Sequence, residues 1–157
     1  MIIYRVNFTR APTATQYEIS LPHLIVEYSA NIEHKIALDD LLDKLHASAL
    51  RSGIFPLGGL RVRAMRMEHY RIADCHPDNG YVHMTAIVGN GRPLDVRQRV
   101  GEELFAALTE HLDGVFRATP LAISFYMQEA HPQLSFKKNN LHEHVQSRRR
   151  LEAPTHE

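Results

Sequence analysis

The feature that most restricts the fold is a strand, helix, strand order that occurs twice at nearly constant spacing. PHLIVEY, opening at Pro22, is a run of β-branched and aromatic residues. ALDDLLDKLHASALRSG then sets Leu38, Leu41, Leu42, Leu45 and Ala49 on one helical stripe before Gly53. After the GIFPLGG loop, LRVRAMRMEHY alternates Leu60, Val62, Ala64 and Met67 with Arg61, Arg63 and Arg66, as a strand with one polar face does. The order returns with YVHMTAIVG, with LDVRQRVGEELFAALTEHLDG (stripe Val96, Val100, Leu104, Leu108, Leu112) and with PLAISFYMQEA. Equivalent points such as Pro22 and Tyr81, or Leu60 and Leu121, lie about 60 residues apart. A crossover helix makes its two strands parallel with a right-handed connection. The prediction is therefore an α+β fold: duplicated β-α-β units in a four-stranded mixed sheet with two helices on one face. The other face is left open, and covering it predicts oligomerisation.

Composition narrows the function classes. The chain has 157 residues, 18 Lys+Arg against 18 Asp+Glu, and one cysteine, Cys75. This size can bury roughly two-thirds of the surface of the unfolded chain, so neither a disulfide nor a structural metal is needed. The balanced charge argues against a broad basic face for nucleic acid or an anionic membrane. No stretch approaches the roughly 18 apolar residues of a membrane span, so a reducing, cytoplasmic setting is expected. Residues 1–21 read as an amino-terminal extension, a weak strand and then a Thr/Ala/Pro linker, without the apolar centre of a secretory signal. Residues 146–157 read as a polar, unstructured tail.

Most standard catalytic arrangements are missing. GIFPLGG and GNGRP lack both the P-loop lysine and the dinucleotide spacing. There is no nucleophile elbow for a Ser-His-Asp triad. Cys75 and His76 are adjacent in a turn-rich loop and poorly placed to face each other. His142 and His144 with His131 fall short of a zinc ligand set and read as a solvated segment, so no metal is expected. Arg148, Arg149 and Arg150 read as a solvated face, and Met65, Met67 and Met84 as core or interface filler.

Four stretches in order, PHLIVEYSANI, GIFPLGGLRVR, YVHMTAIVGNGR and HPQLSFKKNN, together resemble the 5-carboxymethyl-2-hydroxymuconate Δ-isomerase family of the tautomerase superfamily, over residues 22–145. The resemblance implies a homotrimer, no cofactor, and a part in bacterial breakdown of homoprotocatechuate. It implies conversion of a 2-hydroxy dienol to its 2-oxo-3-ene isomer by proton transfer. The base of that family is an amino-terminal proline, and the matching residue is Pro22. Arg61 in GGLRVR and Arg92 in GNGR match the substrate-binding arginines, with His23 as a neighbour. Read without the resemblance, Arg61 is equally a residue of a basic strand face, and Arg92 a turn residue.

The sequence departs from the pattern at one place. Pro22 follows Leu21, and an amide nitrogen has its lone pair delocalised into the carbonyl, so it is no base. Leu21 stands where family members carry their initiator Met, and the expectation is that residues 1–21 are absent from the working protein. The alternative is a catalytically silent trimer that binds a carboxylated ligand or serves a structural role.

Overall fold

The computed structural model describes residues 21–152; the strand and linker expected within 1–20, and residues 153–157, lie outside them. Strand β1 (His23–Ser29) is followed by a 3-10 turn (Ala30–Lys35) and helix α1 (Leu38–Arg51), then β2 (Arg61–Met67) and β3 (Gly80–Val88). Helix α2 (Leu94–Ala118), β4 (Leu121–Glu129) and helix α3 (Leu141–Glu152) complete the order. The sheet runs β2-β1-β3-β4. β1 and β2 are parallel, as are β3 and β4, while β1 and β3 at the centre are antiparallel. This is the expected duplicated, mixed, four-stranded arrangement.

The alternation of β1 and β3 decides what is buried. Leu24, Val26 and Tyr28, with Val82, Met84, Ala86 and Val88, lie beneath the helices. Leu41, Leu45 and Ala49 of α1, and Val100, Leu104, Leu108 and Leu112 of α2, close the core from above. Both expected helical stripes are thus the buried ones, apart from half-buried Leu38, Leu42 and Val96. Two side chains tie the helices further. Lys44 Nζ donates to His111 Nδ1 at 3.0 Å, which leaves Nε2–H to donate to the Ile36 carbonyl at 2.7 Å.

Three features differ from the sequence reading. Helix α2 continues past Gly114, because Val115 still packs on the core, and it stops where Pro120 forces Thr119 into extended backbone (φ −144°, ψ 140°). Arg66 does not share the polar face of Arg61 and Arg63. It takes the helix-side phase opposite Tyr28, where its Nε pairs with Glu33 at 3.2 Å. The tail is ordered further than expected: α3 carries Gln146 through Glu152 as helix, including the arginine run, with every residue from 146 to 152 exposed. Leu, Glu, Gln and Arg favour helix intrinsically, and the first turn of α3 is docked on the GIFPLGG loop, which supplies the nucleus that an isolated segment lacks.

Substituting Leu104, fully buried in α2, by Ala should cost about 2–5 kcal/mol by urea denaturation. Phe116→Ser, at a side chain 56% exposed on the same helix, should stay within about 0.5 kcal/mol of the parent.

Candidate active site

The strand directions gather four chain segments at one end of the sheet. β1 and β2 begin there and β3 and β4 finish there, so Pro22, Arg61, Val88 and Ala130 are neighbours across the sheet end. The Arg61 N–H donates to the Pro22 carbonyl at 3.1 Å, and the Ala130 N–H to the Val88 carbonyl at 2.8 Å. The Pro22 residue is buried, but its nitrogen is bonded to Leu21, which lines a cleft of about 220 Å³. His23, Ile87, Val88, Phe136 and Lys137 form much of the remaining wall, and none of the described residues that line it is acidic.

The cleft owes its outer wall to the chain after β4. That segment crosses the end of the sheet, brings Phe136 and Lys137 over His23 and Val88, and reaches the loop before β2. Asn139 anchors it there: its Nδ2 donates to the Gly58 carbonyl at 2.9 Å while its Oδ1 accepts the Leu141 N–H at 2.9 Å. His142 lies so close to Gly58 that a Cβ at residue 58 would come within 2.6 Å of the imidazole and 2.8 Å of the His142 Cα. Glycine is therefore required at that crossing. His142, weighed in the sequence as a metal ligand, serves this packing contact, and among the described residues no group of three or more His, Cys, Asp or Glu could hold a metal ion. Cys75 is exposed in the loop before β3, at the opposite end of the sheet.

The arginines differ in kind. Arg61 is half-buried at the start of β2, and its Nη1 donates to the Gly59 carbonyl at 2.9 Å. Arg92 is only 5% exposed; its Nη1 donates to the Gly89 carbonyl and its Nη2 to the Ile54 carbonyl, both at 2.8 Å. It clamps the turn after β3 to the GIFPLGG loop, which puts its guanidinium in fixed register at the Pro22 end. His23 faces the open side of the sheet. Arg63 Nη1 donates to its Nδ1 at 2.8 Å, and because a guanidinium only donates, the imidazole is neutral with its proton on Nε2. Burial, then the charges of Arg63 and Arg61, hold its pKa below the ordinary histidine value.

The sequence model of the 5-carboxymethyl-2-hydroxymuconate isomerase family matches residues 22–145. The chain is 41% identical over 122 residues to the 5-carboxymethyl-2-hydroxymuconate Delta-isomerase of Escherichia coli, covering 78% of this chain and 97% of that protein. It belongs to the 5-carboxymethyl-2-hydroxymuconate isomerase family. Crystal structures agree: a 5-carboxymethyl-2-hydroxymuconate isomerase from Deinococcus radiodurans R1 superposes with TM-score 0.77 at 37% identity, over 82% of this chain and 97% of that one. A second 5-carboxymethyl-2-hydroxymuconate delta-isomerase gives 0.76 at 26% identity, over 83% and 96%. The fold of this isomerase-family chain is that of the tautomerases.

Pro22, Arg61 and Arg92, chosen from the sequence, thus sit at one end of the sheet. The sequence reading did not single out Lys137, Phe136 or Asn139, although all three lie in the HPQLSFKKNN stretch. Nor did it pair His23 with Arg63. A signal for that pair was present: His23 opens β1, and Arg63 shares its sheet face one alternation beyond the paired residue Arg61.

Two measurements check this description. Arg92→Met should lose about 1–3 kcal/mol by leaving buried carbonyls unpaired, whereas Arg61→Met should lose under about 1 kcal/mol; thermal or urea melts read both. The depressed His23 pKa also has a fixed sign. Above about pH 6.5, His23 is neutral folded or unfolded; as pH falls below that, the unfolded chain takes up the proton first and stability drains through the folded-state pKa. An NMR titration should place His23 below 6.5 and move it upward in Arg63→Met.

Proposed function

We propose that this protein is a cofactor-independent isomerase that converts 5-carboxymethyl-2-hydroxymuconate to its 2-oxo-3-ene isomer, with the secondary amine of Pro22 as base. The observation that carries this reading is that Leu21, bonded to the Pro22 nitrogen, is itself a wall of the cleft. A chain beginning at Pro22 would replace that wall with the amine lone pair. The family match, which begins at residue 22, supports the same start.

The chemistry follows from elementary steps. An α-amino group titrates near pH 8, and cations close by disfavour its ammonium form, so Arg61 and Arg92 help keep a share of it neutral near pH 7. The neutral amine takes the proton of the 2-hydroxyl. The O–H electron pair becomes the C2=O π bond, the C2=C3 pair moves to C3=C4, and the C4=C5 pair takes a proton at C5. The proton delivered there is the one the amine removed, so the base is regenerated with no net oxidation. Arginine suits the carboxylates because it stays charged and does not exchange protons with the base. Arg92, already fixed by two carbonyls, loses little side-chain freedom on binding. Arg61 beside Pro22 also stabilises the dienolate charge that develops during transfer.

The working assembly is proposed to be a homotrimer in the cytoplasm, acting in homoprotocatechuate breakdown. The open sheet face supports the assembly: it carries Ile25 and Ile87 with Met65, 45% exposed, and Tyr126, 59% exposed, a mixed face with apolar area to bury. Among the described residues no helix is long and apolar enough to cross a membrane. A second reading rests on the Leu21–Pro22 peptide bond itself. A protein that keeps it retains both arginines without a base, and so binds a carboxylated ligand without turning it over.

The test compares the chain beginning at Met1 with one beginning at Pro22, each with its amino terminus verified by intact mass. The Pro22 form should isomerise the hydroxymuconate in a spectrophotometric assay, and the longer form should not. In the shorter form, replacing Pro22 by Ala should lower kcat roughly 10²-fold or more. Equal activity in both lengths would remove Pro22 as the base.

A further inference from the structure

The proposed substrate carries three carboxylates, two from the muconate chain and one on the carboxymethyl arm. Arg61 and Arg92 account for two of them. A third carboxylate drawn into a cleft lined by Ile87, Val88 and Phe136 loses water, and needs a cation within reach.

We infer that Lys137 is the residue that holds the carboxymethyl carboxylate, and that it sets the preference for a substrate bearing that arm. The inference rests on the isomerase reading for the identity of the ligand, and on geometry for the residue. Lys137 is the one Lys or Arg among the described residues that line the cleft. It makes no hydrogen bond or ion pair with any described residue, whereas both arginines are engaged with backbone carbonyls. The other polar groups there oppose nothing negative: His23 is a neutral imidazole whose Nδ1 is already occupied by Arg63. Glu129, the nearby carboxylate at the end of β4, is held by Arg97 at 3.4 Å and by the Gly91 N–H at 3.0 Å, so it does not neutralise the lysine.

Position explains why a lysine serves here. Lys137 is on the crossing segment, whose far end is fixed by Asn139 on Gly58 and whose near end continues β4 through the Ala130 N–H. The backbone is thus tethered on both sides while the side chain stays exposed at the rim. A compact charge on a flexible four-carbon stem can follow an arm that rotates about a single bond. The planar guanidinium fork of arginine suits a carboxylate fixed to the conjugated chain.

Calorimetric titration of the full chain with two saturated probes tests the assignment without any turnover. One is 2-(carboxymethyl)adipate, which keeps the substrate's carbon skeleton and its three carboxylates; the other is adipate, which lacks the arm. Lys137→Met should weaken the tricarboxylate about tenfold or more and leave adipate unchanged, and Lys137→Arg should restore most of the loss. Lys138→Met, the same charge removed next door, should change neither. Equal weakening of both probes, no weakening of either, a Lys138→Met effect as large as that of Lys137→Met, or a parent protein that binds neither probe would each overturn the inference. Isomerase assays on the same substitutions in the form beginning at Pro22, the one expected to isomerise, separate the two claims. Selective binding without isomerisation would sink the catalytic reading alone, and isomerisation with unaltered probe binding in Lys137→Met would sink the lysine assignment alone.

Discussion

Everything at the Pro22 end of this molecule depends on one dry interface, the alternate residues of β1 and β3 pressed against α1 and α2. With Leu24, Val26, Val82 and Met84 fully buried on one side, a one-residue slip of either strand would drive His23 or His83 into the core and expose the leucine contacts. Register is therefore fixed by burial. It is this register that sets the start of β1 beside Arg61 on one flank and Val88 on the other. The chemistry proposed for Pro22 uses a position that packing has already specified.

The loops are held by a different kind of force. Arg92 brings a buried positive charge to two carbonyls that would otherwise be unpaired, joining GIFPLGG, from the first β-α-β unit, to the turn that opens the second helix. Asn139 and the Gly58–His142 contact add the carboxy-terminal segment to the same loop. One short loop thus receives the first unit, the second unit and the tail. Phe55 and Ile54 pack the loop on the core, and these polar contacts fix which segments it meets.

The fold was legible because periodicity survives without any partner: leucines at helical spacing and alternating strand residues report burial directly. Residues whose role comes from contacts distant in sequence were harder to read. Asn139 meets Gly58 across about 80 residues, and a polar HPQLSFKKNN stretch looks like solvated chain until the backbone carries it over the sheet end. Arg92 looked like a substrate arginine or a turn residue, and its loop clamp was invisible because Ile54 O, a backbone atom, leaves no mark in the sequence. The tail misled in the opposite way: low hydrophobicity suggested disorder, yet docking of its first turn is enough to carry a helix through Glu152.

The duplicated architecture is close to self-symmetric about the β1–β3 pair, so the two ends of the sheet share one backbone plan and differ in the side chains they carry. In each unit a second strand starts beside the first: Arg61 stands opposite His23, and its counterpart Leu121 stands opposite Gly80. Even the peptide bonding is mirrored, with the Arg61 N–H on the Pro22 carbonyl and the Gly80 N–H on the Pro120 carbonyl, donor and acceptor strands exchanged. At the second end Leu121 stands in the place of Arg61, Asn31 donates to the Pro77 and Asn79 carbonyls, and Asn79 donates to the Ile72 carbonyl and the Asp74 carboxylate. A repeated frame thus lets its two poles differ: both tie their loops through polar side chains, one presents Arg61 beside Pro22 and the other pairs Arg66 with Glu33 and Glu68, and neither arrangement disturbs the apolar layer they share.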